Sequence, residues 1–225
     1  MVDILVSNFP YLLEGLGVAL VLLAALLAVG VALGAAIALL QVYGPRVWWV
    51  RWPIFVFERV FRGVPIIILL FLFYYGLSGV YDISSFAAAI LGLGFRSAAY
   101  QSQIFRSALQ SVDVGQMVAA RAMGMSKLQA IAFVAVPQGV RYALGPWTNE
   151  FSAELKDTSL AYVIGVVELT RQAKYIISSN HGHILVVFAV AAAMYFVVNK
   201  IGNSFFYRLE AKYAVPGSER RLFSR

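Results

Sequence analysis

Polar positions are sparse along this chain and fall in clusters rather than at regular intervals. Between the clusters lie apolar runs of about 20 residues or more, the length an α-helix needs to cross a bilayer. Five runs are present: residues 11–40, 54–77, 85–109, a fourth that starts near Pro137, and 184–206. They predict an all-α integral membrane protein with five transmembrane helices. The first run has no charge after Glu14 and carries Gly30 and Gly34 at four-residue spacing. That spacing lets helix backbones approach closely in lipid, although small residues are also simply common in membrane helices. The second run opens on Glu58, Arg59 and Arg62 and contains Pro65; the third carries Arg96 and a polar face of Tyr100, Gln101 and Gln103. The fourth is broken around Lys156 and Asp157, and residues 168–183 are expected to form a loop.

The interval between the third and fourth runs, residues 113–137, has its own pattern. Asp113 stands three residues before Gln116, and Ser126 three before Gln129. Each pair fits a capping box, in which a short side chain satisfies orphan amides and the later residue reaches back. Gly124 lies between them, where a left-handed residue ending the first helix is cheapest. The expectation is helix, tight turn, helix. Arg121 and Lys127, with Arg141 just beyond, mark the segment as water-facing.

Composition agrees with membrane residence. The chain is 61% hydrophobic and 13% charged over 225 residues, against about 45–50% and about 25% in soluble domains. No cysteine is present, which removes disulfide and thiolate chemistry. A cleaved signal peptide is not expected, because no basic segment precedes the first run and that run is too long. Arg46, Arg51, Arg106, Arg121, Lys127 and Arg141 share one side, with Lys200, Arg208, Lys212, Arg220, Arg221 and Arg225 at the C-terminal end. The other side has Arg171 and Lys174. The positive-inside rule puts the first set in the cytoplasm, so the N-terminus is outside and the C-terminus inside. Trp48, Trp49 and Trp52 beside Arg46 and Arg51 fit a membrane boundary. Residues 1–212 read as one transmembrane domain and 213–225 as a basic cytoplasmic tail. The net charge of +7 reads as topology and contact with anionic lipid, not nucleic-acid binding.

No phosphate-binding loop, HExxH or GxSxG pattern occurs, and no catalytic residue is assigned. His181 and His183 form an H-x-H without an acidic or sulfur partner nearby, so no metal site is assigned. The informative residues are those that are costly inside a bilayer, which mark a pathway or site by default. They are Asn149, Glu150, Glu154, Lys156, Asp157, Thr158 and Ser159, with Gln103 on the third run. A helix interrupted by such groups lines a cavity or is buried in protein. Lys156 and Asp157 suit the two ends of a zwitterion, and equally suit an internally paired kink.

The stretch AARAMGMSKLQAIAFVAVPQ, from Ala119, resembles the EAA loop of permease subunits of ATP-binding-cassette importers. Its alanines, glycine and proline are Ala119, Ala120, Gly124 and Pro137. KDTSLAYVIGVVELTRQA from Lys156, FRGVP from Phe61 and AAYQSQIFRSALQSV from Ala98 resemble the polar-amino-acid branch of that family. The resemblance implies a type I importer permease fold with a cytoplasmic coupling helix in the loop 113–137. Val118, Ala119, Ala120, Arg121, Gly124, Ser126 and Pro137 would make the ATPase coupling element. Gln103, Asn149, Glu154, Lys156, Asp157, Thr158 and Ser159 would line the substrate pathway. It also implies two copies of an ATPase subunit, an extracytoplasmic solute-binding protein, and a second permease copy or paralogue. No cofactor is implied on this chain; ATP and magnesium would sit on the partner ATPase. The implied location is the prokaryotic plasma (inner) membrane. Two positions depart from the pattern: Val118 stands where the family usually has glutamate, and so does Gln103, where many members have one.

Three other readings compete. A helix-turn-helix DNA reader fails because LQAIAFVAV offers no groups for base edges. An ion-gradient-driven secondary amino-acid transporter would use the same intramembrane charges, but no internal repeat is present. An intramembrane enzyme lacks a nucleophile–base pair.

Overall fold

The computed structural model describes residues 2–79, 81–179 and 183–213, and their regular structure is helical throughout. The chain opens with α1 (Val2–Tyr43), which passes Pro10 and outruns the expected 11–40 at both ends. The expected second span is two helices, α2 (Trp48–Gly63) and α3 (Ile66–Ser78), bent by 109°. Pro65 is the cause. Proline disfavours helical backbone in the residue before it, and Val64 is extended at φ −87° and ψ 134°. Phe57 and Phe61 of α2, Phe73 of α3 and Phe95 of the next helix pack ring against ring across the bend.

The next helix, α4 (Ser85–Gln110), is capped by the Ser84 hydroxyl, which accepts from the Ala87 amide at 3.2 Å. Then come α5 (Val114–Ala122), α6 (Lys127–Ala130), a π-helical turn (Ile131–Ala135) and α7 (Val136–Asp157). The last three follow one another without a break. The helix that carries the fourth run is longer than that run: it is already under way at Lys127 and passes through Pro146. Pro137 has no amide to bond four residues back, and its ring would clash with that carbonyl. A π-turn, in which bonds run five residues back, widens the helix there. Accordingly the Val136 amide donates to the Ile131 carbonyl.

At Asp157 the α-helix tightens into a 3₁₀ segment (Thr158–Ile164), the interruption that the polar run foretold. Residues 168–183 are not a plain loop. They contain α8 (Leu169–Ser179), which packs on α1 and on α9 (Ile184–Tyr213). Glu168 starts α8: its carboxylate accepts the amides of Thr170 and Arg171 at 2.8 and 2.9 Å and the Tyr195 hydroxyl at 2.8 Å. Burial pushes the Glu168 carboxyl above the ordinary carboxylate range, and these donors pull it back. The mixed polar and apolar pattern of ELTRQAKYII was the missed signal. His181 and residues 214–225 lie outside the described residues.

Among the described residues two helices, α1 from Val6 and α9, are long and apolar enough to cross a membrane, or three if the bent pair is one span. The polar α4 is the central post, touching α1, α2, α3 and α7. Its contact with α1 is the most extensive in the chain. Gly30 and Gly34 make it possible: a Cβ at Gly30 would strike Gln101 and Ser97, and one at Gly34 would meet the Ser102 amide at 3.0 Å. Gln101 is fully buried, donating to Ser97 at 2.8 Å and accepting Trp147 Nε1 at 2.9 Å, so it also ties α4 to α7. Glu58 joins three helices in the same way, accepting from Gln41 at 2.9 Å and Ser102 at 2.7 Å.

Gly30→Val is expected to destabilise the chain by about 1–3 kcal/mol, the usual cost of overpacking. Gly17→Ala, where a Cβ meets nothing within 4 Å, is the matched control. Thermal unfolding of the detergent-purified variants checks both.

Candidate functional site

Two regions stand out, one at each end of the continuous helix 127–157. The first is the hairpin before it. Asp113 caps α5 by accepting the Gly115 amide at 2.6 Å. The expected capping box with Gln116 does not form; Asp113 turns tightly onto the nearer amide, and Gln116 bonds through its backbone to Asp113. The second expected box does form. Ser126 Oγ accepts the Gln129 amide at 3.3 Å, and Gln129 Oε1 accepts the Ser126 amide at 2.7 Å.

Gly124 sits between them at φ +89°. The Met125 amide donates to the Ala120 carbonyl and the Gly124 amide to Arg121, the paired bonds of a Schellman stop. Arg121 Nη1 fastens the turn from outside by donating to the Met125 carbonyl at 2.6 Å. Alone, nine residues are too few for a stable helix in water; caps, turn and the contact of α5 with the π-turn hold it. Ala120 is buried, whereas Ala119, Arg121, Ser126 and Pro137 are exposed, and so is Val118, at 62%. Val114, Met123, Leu128 and Phe133 add to an outward apolar surface with no cover on this chain.

The second region is a half-buried charge cluster around the fully buried Glu154. Glu150, Glu154 and Asp157 recur at helical spacing and share one face of α7. Arg96 of α4 meets them, donating from Nη1 to Asp157 Oδ2 at 2.8 Å and lying 3.8 Å from Glu154 Oε1. Glu154 is fully buried, and its carboxyl oxygens accept no hydrogen bond from a donor among the described residues. Arg96 and Arg62 both lie over the Tyr100 ring, at 4.7 and 5.1 Å. Arg96 thus meets the carboxyl groups directly, and the exposed Arg62 joins it through the shared Tyr100 ring.

Not all the expected pathway residues converge here. Asn149 and Lys156 are exposed and share a different face of α7, seven residues apart. Thr158 and Ser159 donate to the Leu155 and Lys156 carbonyls at 2.7 and 2.6 Å, so their hydroxyls finish the helix end. Gln103 lies apart, accepting from Arg106 and lining a shallow pocket with Tyr142 and Pro146. The pairing of Arg96 with Asp157 was the signal most easily missed. An arginine deep in an apolar run has to find an acid, and α7 carried the acids.

Residues 28–215 match the family model for the binding-protein-dependent transport system inner membrane component. The chain belongs to that family. Among curated relatives of this inner membrane component, the octopine transport system permease OccM of Rhizobium radiobacter is 33% identical. The alignment covers 91% of this chain and 86% of that one. The glutamine transport system permease GlnP of Escherichia coli K12 is 32% identical, covering 92% and 94%. A crystal structure of an amino acid ABC transporter with histidines superposes with a TM-score of 0.83 at 32% identity, covering 92% of this chain and 96% of that one. The inward-facing MetNI methionine ABC transporter shares the fold, with a TM-score of 0.71 at 18% identity over 96% and 98%.

Arg96→Ala is expected to destabilise this family member by about 1–3 kcal/mol, since it strands the half-buried Asp157 and leaves the fully buried Glu154 without a nearby cation. Adding Asp157→Asn should recover part of that loss. Thermal denaturation of the two single variants and the double variant measures the coupling.

Proposed function

We propose that the chain is the membrane subunit of an ATP-driven importer of polar amino acids. Five spans cross the inner membrane: α1, the bent pair α2–α3, α4, α7 with its 3₁₀ continuation, and α9. The N-terminus is outside and the C-terminus inside. Two copies, or one with a paralogue, form the pathway. Two ATPase subunits, which carry ATP and magnesium, bind below, and a solute-binding protein delivers substrate from outside.

One observation carries this reading. The capped hairpin and the charge cluster sit on opposite ends of one unbroken helix, 127–157, about 45 Å long at 1.5 Å per residue. The hairpin offers an exposed apolar surface around Val118, suited to a cleft in the ATPase. The cluster offers the guanidiniums of Arg62 and Arg96 to a carboxylate and Glu150, Glu154 and Asp157 to an ammonium. Closure of the ATPases pulls the hairpin, and the helix carries that displacement to the cluster. Such coupling shifts the permease between inward and outward states because the partner binds them with different affinity. The relatives named for glutamine and octopine support an amino-acid class of substrate.

The chain reconstituted with its ATPase and binding protein is expected to take up amino acid on ATP addition. Uptake driven by an ion gradient alone, with none on ATP, would establish the secondary-transporter reading instead. Gly124→Val keeps open space around the side chain but strains a positive φ. It is expected to leave ATP hydrolysis running while transport falls at least about tenfold, a loss of about 1.4 kcal/mol of coupling. Asp157→Asn should lower uptake without disturbing assembly with the ATPase. Parallel hydrolysis, uptake and pull-down assays read these outcomes.

A further inference from the structure

One groove belongs to neither the hairpin nor the charge cluster. It is a cavity of about 270 Å³ between α1, α4 and α7. Val31, Ala35 and Leu39 form one wall, Leu109 another, and Val140 and Leu144 the third. Every lining side chain is apolar; Trp147, at one end, turns its indole N–H away to Gln101. The groove is open at its rim, where Val140 is 57% exposed.

Its mouth is charged. The stripe Val31, Ala35, Leu39 advances by four residues and continues to Tyr43, one turn further. There Lys127 Nζ donates to the Tyr43 carbonyl at 2.9 Å. From the same last turn of α1, the Gln41 carbonyl accepts from Arg51 at 3.4 Å. Neither cation has a carboxylate within ion-pairing distance among the described residues. An apolar trough with two cations on the helix end one turn beyond it matches one molecule in cross-section: an acyl chain below an anionic phosphate head. A second copy of this chain is a poorer match, because it brings the same uncompensated cations to the mouth.

We propose that this groove binds one acyl chain of an anionic phospholipid, with its headgroup phosphate on Lys127 and Arg51. The leaflet is the one facing the ATPase, an assignment that rests on the orientation proposed above. The groove lies along the N-terminal half of α7, so a resident lipid touches the helix that links hairpin to cluster.

The test uses the permease–ATPase complex in lipid nanodiscs containing phosphatidylglycerol or phosphatidylcholine with a photoreactive acyl chain. Phosphatidylglycerol is expected to label residues 136–147 more heavily than phosphatidylcholine, by about fivefold for each basic side chain engaged. Lys127→Gln should remove about fivefold of that preference while leaving the phosphatidylcholine signal. Val140→Phe, on an open rim, should abolish the label by filling the trough. Equal labelling by both lipids, or an undiminished label in Val140→Phe, overturns the proposal. So does a disulfide between two Val140→Cys chains, which are otherwise free of cysteine, because it puts a second copy in the groove. Orientation is read separately, from access of an impermeant thiol reagent to Arg46→Cys, an exposed position outside the docking hairpin, in sealed vesicles with the ATPase site outward. Protection there overturns the leaflet assignment and the proposed topology together.

Discussion

A carboxyl group held away from water must be answered by the protein around it, or it costs several kcal/mol. That constraint sets the placement of α4 against α7. Arg96 meets Asp157 and approaches Glu154, which fixes both the depth and the rotation of the two helices. Apolar helices in lipid gain little from hiding from each other, so packing and polar contacts decide which faces meet. The same rule explains the other inter-helix pins. Gln101 needs Ser97 and Trp147; Glu58 needs Gln41 and Ser102; Glu168 needs the start of α8 and Tyr195. Each pin crosses from one helix or segment to another, and all but that of Glu168 end on the polar post α4, the centre of the fold.

A second constraint acts along the chain. Pro137 would ordinarily end or kink a helix, and separating hairpin from membrane span at that point would disconnect them. The π-turn removes the conflict by shifting the bonds around the missing amide, so that the helix continues. Pro146 is passed in the same helix. Continuity is what matters mechanically. A stiff rod with a capped hairpin at one end and a charge cluster at the other transmits displacement, whereas two helices joined by a flexible loop would absorb it.

The sequence made most of this legible where a local rule sufficed. The capping box of Ser126 and Gln129, the left-handed Gly124, the close approach at Gly30 and Gly34, and the helix end at Asp157 all follow from short-range chemistry. Reading failed where a local rule met a competing one. Pro65 bent its span because nothing widened the helix there, whereas Pro137 and Pro146 did not break theirs. Propensity alone cannot separate those cases, because the outcome depends on how the surrounding turns accommodate the ring. The hydroxyls of Thr158 and Ser159 were indistinguishable in sequence from pathway groups, since helix ends and polar pockets draw on the same residues. The placement of Asn149 and Lys156 required the rotation of α7, which its contacts with Arg96 and Gln101 fix. Helix α8 is short and half polar, so that its identity depends on the walls it packs against.

Val118 is where the geometry resolves a question that the sequence left with two answers. The family's usual glutamate at that position could steady the loop from within or face a partner. Here the loop is steadied by other groups: Asp113 at its start, the paired amides around Gly124, the Arg121 clasp on Met125 and the Ser126 box. Val118 takes part in none of these bonds, and its side chain points outward, four residues from exposed Val114 on the same stripe. A glutamate there would therefore act on what docks rather than on the hairpin's own fold. Its replacement by valine leaves the element intact and changes the chemistry of its surface from acidic to apolar. On the coupling role proposed above, the compensating change belongs to the partner: a cleft that receives Val114 and Val118 has to present apolar side chains to them.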